Sequence, residues 1–138
     1  MKAILSVLLF IPVMLFSQVP ITVASQEGAQ NKGEIFEEVD VEANFPGGAA
    51  EMMQYIAHNV KYPEISMENG EQGKVFVEFV VNKDGSVSNI KILRGVSKDI
   101  DVEAMGVVKN MPKWTPAEIE GKKVRSIARI PINFILTD

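Results

Sequence analysis

A strongly apolar strand that turns back on itself within four residues constrains this chain more than any other feature. Residues 73–81 read GKVFVEFVV, and Val75, Val77, Phe79 and Val81 alternate with Lys74, Phe76, Glu78 and Val80. Side chains alternate across a strand, so one face is wholly apolar and the other is mixed. Asn82, Lys83, Asp84 and Gly85 follow as a turn, in which Gly85 supplies the positive φ that a tight hairpin needs. Residues 86–95, SVSNIKILRG, return as the partner strand, with Ile90 and Ile92 on one face and Asn89 and Lys91 on the other.

Helical spacing stands on both sides of this hairpin. Ala49, Met53, Ile56, Ala57 and Val60 form one apolar stripe, which predicts a helix over residues 48–59 that Tyr62 and Pro63 stop. Residues 64–72 read as a polar connection with a turn at Asn69 and Gly70. After the hairpin, Ile100, Ala104, Val107, Val108 and Met111 make a second stripe. Ser97 or Asp99 caps this second helix, Asp99, Asp101 and Glu103 suit its positive end, and Pro112 ends it. Gly106 inside it costs about 1 kcal/mol relative to alanine, and close packing on the sheet is the expected compensation. Residues 123–136 alternate again, with Val124, Ser126, Ala128, Ile130, Ile132, Phe134 and Leu136 on the core face. Two helices on one face of a three-stranded antiparallel sheet give an α+β domain over residues 43–138. Trp114, between Pro112 and Pro116, reads as a core plug rather than an exposed platform.

The front of the chain is different. Residues 3–16 are apolar except for Ser6, contain Pro12, and follow Lys2. The run is shorter than the roughly 20 residues of an ordinary spanning helix and has the build of a secretory signal. Small-residue cleavage points follow Ser17 and Ser25; an uncleaved anchor extended through residues 19–23 is the alternative. Residues 1–25 are therefore read as a signal peptide or short membrane anchor, and residues 26–42 as a linker and acidic segment. That segment carries Glu34, Glu37, Glu38, Asp40 and Glu42, against Lys122, Lys123, Arg125 and Arg129 near the other end.

Composition excludes several function classes. The chain has no cysteine, which removes disulfides, thiol nucleophiles and cysteine metal sites. A net charge of −4 argues against nucleic acid as a partner. No nucleophile elbow, HExxH or phosphate loop is present. Residues 82–86 resemble a calcium loop only superficially, because the glycine comes too early and no bidentate glutamate follows. The lone His58 reads as a surface residue. The expectation is a binding protein, not an enzyme, with no catalytic residue, metal or cofactor.

The last strand has no later partner in sequence, and Pro131 within it carries an argument. Proline lacks an N–H and sits in sheets at edges or bulges. If Pro131 faces open solvent, the backbone groups of Arg125, Ile127 and Arg129 do so too, ready for an incoming extended segment. The alternative is that Pro131 and the arginines only discourage aggregation at an edge. The basic residues favour an acidic guest on either reading. Phe76 and Val80, off the core face, mark either a homodimer surface or a seat for the acidic segment.

One ordered set of motifs spans residues 43–136: Phe45-Pro46-Gly47-Gly48, Tyr62-Pro63, Gly73-Lys74-Val75-Phe76-Val77, Asp84-Gly85, Ile100-Asp101-Val102-Glu103-Ala104, Trp114-Thr115-Pro116-Ala117, Gly121-Lys122-Lys123-Val124 and Pro131-Ile132-Asn133-Phe134. In this order they resemble the C-terminal domain of the TonB family, energy transducers for outer-membrane transporters, and most closely its short Bacteroidetes-type members. The resemblance implies a periplasmic domain that binds the N-terminal segment of a TonB-dependent outer-membrane transporter. The guest would pair with the last strand, here Val124, Arg125, Ser126, Ile127, Ala128, Arg129 and Ile130. It also implies coupling to an inner-membrane proton-channel complex. A secreted periplasmic binding module of the same fold, without energy coupling, is the second reading.

Overall fold

The computed structural model describes residues 32–137. The expected signal or anchor over residues 1–25 and the first part of the linker lie outside them. No described helix is long and apolar enough to cross a membrane. The element order is β1 (Ile35–Phe36), α1 (Ala49–Asn59), α2 (Glu64–Glu68), β2 (Gly73–Val81), β3 (Val87–Arg94), α3 (Lys98–Lys109), β4 (Ala117–Ile119) and β5 (Lys122–Phe134). The α+β expectation holds, with more elements than the sequence suggests: three helices, and a sheet ordered β1-β5-β2-β3 with β4 also paired to β5.

The hairpin forms where the alternation places it. Asn82 N–H donates to Ser86 O at 2.8 Å, and Gly85 N–H donates to Asn82 O at 2.9 Å. Gly85 takes φ 90°, and a Cβ there would lie 2.1 Å from Trp114 O, so both conformation and space demand glycine. Asp84 Oδ1 accepts from Ser86 N and Ser86 Oγ, and these bonds hold its carboxyl below the ordinary aspartate value. Trp114 N–H in turn donates to Gly85 O at 2.8 Å, tying the hairpin tip to the chain that follows α3.

All nine residues of β2 pair antiparallel with β5, from Gly73 opposite Phe134 to Val81 opposite Ser126. Val75, Val77, Phe79 and Val81 are fully buried beneath the helices, with Ile130, Ile132 and Phe134 beside them. Helix α3 contributes Ile100, Ala104, Val107 and Val108, and Ser97 caps it by accepting from Ile100 N. Trp114 is core: it is 7% exposed and meets Phe45 and Phe79 edge-on, at 5.8 and 5.3 Å between ring centroids.

Three local expectations change. Helix α1 buries Ile56, with Met52, Tyr55 and Val60 partly buried, whereas Met53 is 55% exposed and Ala57 also faces outward. The polar connection contains the single-turn helix α2, which buries Ser66. Close packing does not explain Gly106, since a Cβ there would meet nothing within 4 Å.

Two stability predictions follow from this packing. Trp114→Ala removes a buried indole that joins β2, the Phe45 segment and the hairpin tip, and should cost about 3–5 kcal/mol in denaturant unfolding. Gly106→Ala fills empty space in a helix interior and should stabilise the fold by up to about 1 kcal/mol in the same assay.

Candidate functional site

The two edges of the sheet are built differently. Strand β3 forms one, and its pairing with β2 is irregular: register shifts fall between Phe76 and Val77 and between Glu78 and Val80. Asn89, with φ 53°, lies at the second of these. Bulges of this kind twist an edge and blunt it against pairing. Strand β5 is regular along its whole contact with β2, and its opposite side is the second edge.

Pro131 sits inside that regular ladder, opposite Phe76. A proline can occupy an uninterrupted ladder only where its nitrogen faces away from the partner strand. Alternation then turns the backbone groups of Arg125, Ile127, Arg129 and Asn133 outward with it. The chain itself takes part of this outer side: Ile35 and Phe36 of β1 pair parallel with Arg125 and Ser126. Strand β4 pairs with Lys122, Lys123 and Val124. From Ile127 to Phe134 no strand among the described residues lies on the side of β5 away from β2.

Alongside this open stretch the surface is concave. A cavity of about 250 Å³ adjoins Ile127, Ala128, Arg129 and Ile130, with Phe45, Met52 and Trp114 among its walls. A second, of about 180 Å³, adjoins Pro131, Ile132 and Asn133, and α1 lines it with Met53, Ile56, Ala57 and Val60. The outward turn of Met53 and Ala57 thus belongs to a largely apolar trough between α1 and the edge of β5.

The seven residues that the sequence assigns to peptide binding are therefore not equivalent. Val124 is half-buried and paired to Ala117 of β4. Arg125 and Ser126 are buried, at 6% and 3% exposure, and carry β1. Ile127 and Ala128 are half-buried, Arg129 is exposed and Ile130 is buried, and all four border the larger cavity.

The charges are largely engaged from within. Arg125 Nε donates to Asn82 Oδ1 and Arg125 Nη1 donates to Gly33 O, both at 2.9 Å. Arg129 Nε donates to Glu78 Oε2 at 2.9 Å, and Arg129 Nη2 lies 3.5 Å from Glu37 Oε1. Lys91 completes a cross-strand row by pairing with Glu78 at 3.3 Å. Only Lys122 and Lys123 of the four basic residues are exposed and make no ion pair among the described residues. Val80 is 2% exposed in the single chain, which leaves Phe76 as the more open of the two off-core apolar residues. His58 is an exposed residue of α1, with Nδ1 2.9 Å from Gln54 O.

The family model described as Gram-negative bacterial TonB protein C-terminal matches residues 58–136. The chain belongs to this TonB C-terminal family. Among its relatives, Protein TonB of Xanthomonas campestris pv. campestris is 30% identical over 77 residues, 55% of this chain and 34% of that one. Protein TonB of Helicobacter pylori is 32% identical over 65 residues, covering 44% of this chain and 23% of the other. The chain thus matches about a third of the length of the first of these relatives and less of the second. The solution structure of the Helicobacter pylori TonB C-terminal domain shares the fold, at 23% identity and a TM-score of 0.50, over 85% of this chain and 98% of that one.

One prediction isolates the buried arginine. Arg125→Met keeps much of the side-chain bulk but leaves Asn82 Oδ1, in a fully buried residue, without its guanidinium donor. The loss should be about 1–3 kcal/mol, read as a lowered denaturation midpoint. Asn82→Ala combined with it should cost less than the sum of the two single changes.

Proposed function

We propose that this chain is a periplasmic TonB-type protein that binds N-terminal segments of outer-membrane transporters by strand addition to β5. Its role is in the energy-dependent transport of nutrients across the outer membrane, and its activity is binding rather than catalysis. The observation that carries the reading is the regular, outward-facing edge of β5 beside the α1 trough. An extended guest gains main-chain hydrogen bonds from such an edge and places alternate side chains in the adjoining hollows. Family membership supports the class of partner.

The guest footprint we assign runs over Val124, Arg125, Ser126, Ile127, Ala128, Arg129 and Ile130. Residues 127–130 form its open part, and the cavity at Phe45, Met52 and Trp114 takes a guest side chain. Coupling to an inner-membrane proton-channel complex belongs to the same reading and depends on residues before the described domain. An intact N-terminus recovered in the inner-membrane fraction supports it. A soluble form beginning at Gln18 or Gln26 favours an uncoupled periplasmic binding module.

The direct test is an NMR titration with extended peptides copied from the N-termini of outer-membrane transporters of the same organism. Amide shifts should concentrate in β5 over residues 124–130. Ile127→Pro should abolish that binding with little loss of fold, because its N–H faces away from β2 as the nitrogen of Pro131 does. Unchanged peptide affinity in this variant would refute strand addition at this edge.

A further inference from the structure

Strand β1 lies where the proposed guest would begin. It has only two residues, it runs parallel to β5, and it occupies Arg125 and Ser126 at the head of the open stretch. The neighbouring residues reach the same strand through side chains. Gly33 O accepts from Arg125 Nη1, and Glu37 lies within ion-pair distance of Arg129. An acidic, extended piece of this chain therefore already pairs with the edge and engages both of its arginines.

Its attachment is slight. Ile35 and Phe36 are only half-buried, and the Glu37–Arg129 pair is solvent-exposed on both sides, a class of contact worth little on its own. The firm anchors come later in the chain. Asp40 Oδ2 accepts from Glu120 N at 2.7 Å, Val41 bridges Glu118, and Asn44 bridges Thr115. Residues 33–37 can thus leave the edge by a change at residues 38–39 while residues 40–44 stay docked against β4 and Thr115.

We propose that residues 33–37 are a built-in occupant of the β5 edge that a guest segment must displace, so that the chain holds its own binding strand partly closed. The proposal rests on the strand-addition reading above. An intramolecular strand competes at high effective concentration even when its own contacts are weak. Guest affinity falls by the fraction of molecules in which the edge is open; an edge open in one molecule in ten lowers it about tenfold.

The test uses the full chain in detergent micelles and one synthetic peptide copied from a transporter N-terminus, with affinity measured by calorimetry. Two single variants loosen β1 by different chemistry. Phe36→Pro removes the N–H that faces Arg125 in the parallel pairing, and Glu37→Gln removes its charge from Arg129. Hydrogen exchange at the Arg125 amide, which faces β1, reports release independently of any guest, and unchanged exchange at Ser126, whose amide faces β2, and elsewhere in β5 shows that the sheet is intact. The expected result is faster exchange at the Arg125 amide together with about tenfold tighter peptide binding for Phe36→Pro and a smaller gain for Glu37→Gln. Faster exchange with wild-type affinity, or with weaker binding, overturns the built-in occupant and leaves strand addition standing. No peptide binding to the wild type or to either variant removes the strand-addition reading and this inference with it.

Discussion

The pairing of β2 with β5 organises everything else in this domain. The two strands are separated by some forty residues of intervening chain, yet they form the longest ladder in the sheet, without a register shift. A one-residue slip would send Val75, Val77, Phe79 and Val81 to the opposite face. The burial of those four side chains under α1 and α3 therefore fixes which residues of β5 face the core and which backbone groups face out. The position of Pro131 agrees with that register. It is opposite Phe76 at a point where the ladder needs nothing from its nitrogen.

That constraint also makes the sheet asymmetric. The hairpin partner β3 is joined to β2 by the short turn at Asn82 to Gly85 and is bulged twice along its length. Its outer edge is blunted by its own geometry. Strand β5 must match β2 residue for residue to close the core, so its outer edge inherits the same regularity. A regular edge invites pairing, and the chain manages it by covering one end with β1 and β4 and by setting a proline further along. What is left between Ile127 and Phe134 is the longest regular run of outward-facing backbone in the described structure that no strand covers, and α1 places a trough beside it.

Much of this was legible in the sequence because long alternating runs carry strong signals. The hairpin, the second long helix and the alternation of the last strand each rest on many residues agreeing with one period, while the core role of Trp114 follows from the size and apolar surface of a lone indole beside a helix end. Features that rest on few residues were not legible. Strand β1 is two residues long, β4 is three, and α2 is a single turn, so none has enough positions to show a period. The stripe on α1 misled by one step, because Met52 and Met53 are equally apolar and only the position of β5 decides which of them turns inward. The orientation of Met53 then matters, since it lines the trough. The fate of the basic residues was not legible either, because their partners Asn82, Gly33, Glu78 and Glu37 are distant in sequence.

Those partners change what charge means at this edge. Arg125 is buried, yet among the described residues no carboxylate lies within ion-pair distance of it. Its guanidinium offers five donors, and the structure answers with dipoles: the amide oxygen of Asn82 and the backbone carbonyl of Gly33. A buried cation without hydrogen-bond acceptors is costly, so Arg125 stays buried only while an extended chain beside it brings a carbonyl, whatever that chain's side chains. Residues 33–36 meet that requirement from within the molecule. On the strand-addition proposal, a segment that displaced them would have to bring the same backbone group to Arg125, with charge complementarity at Lys122 and Lys123 an addition to that requirement.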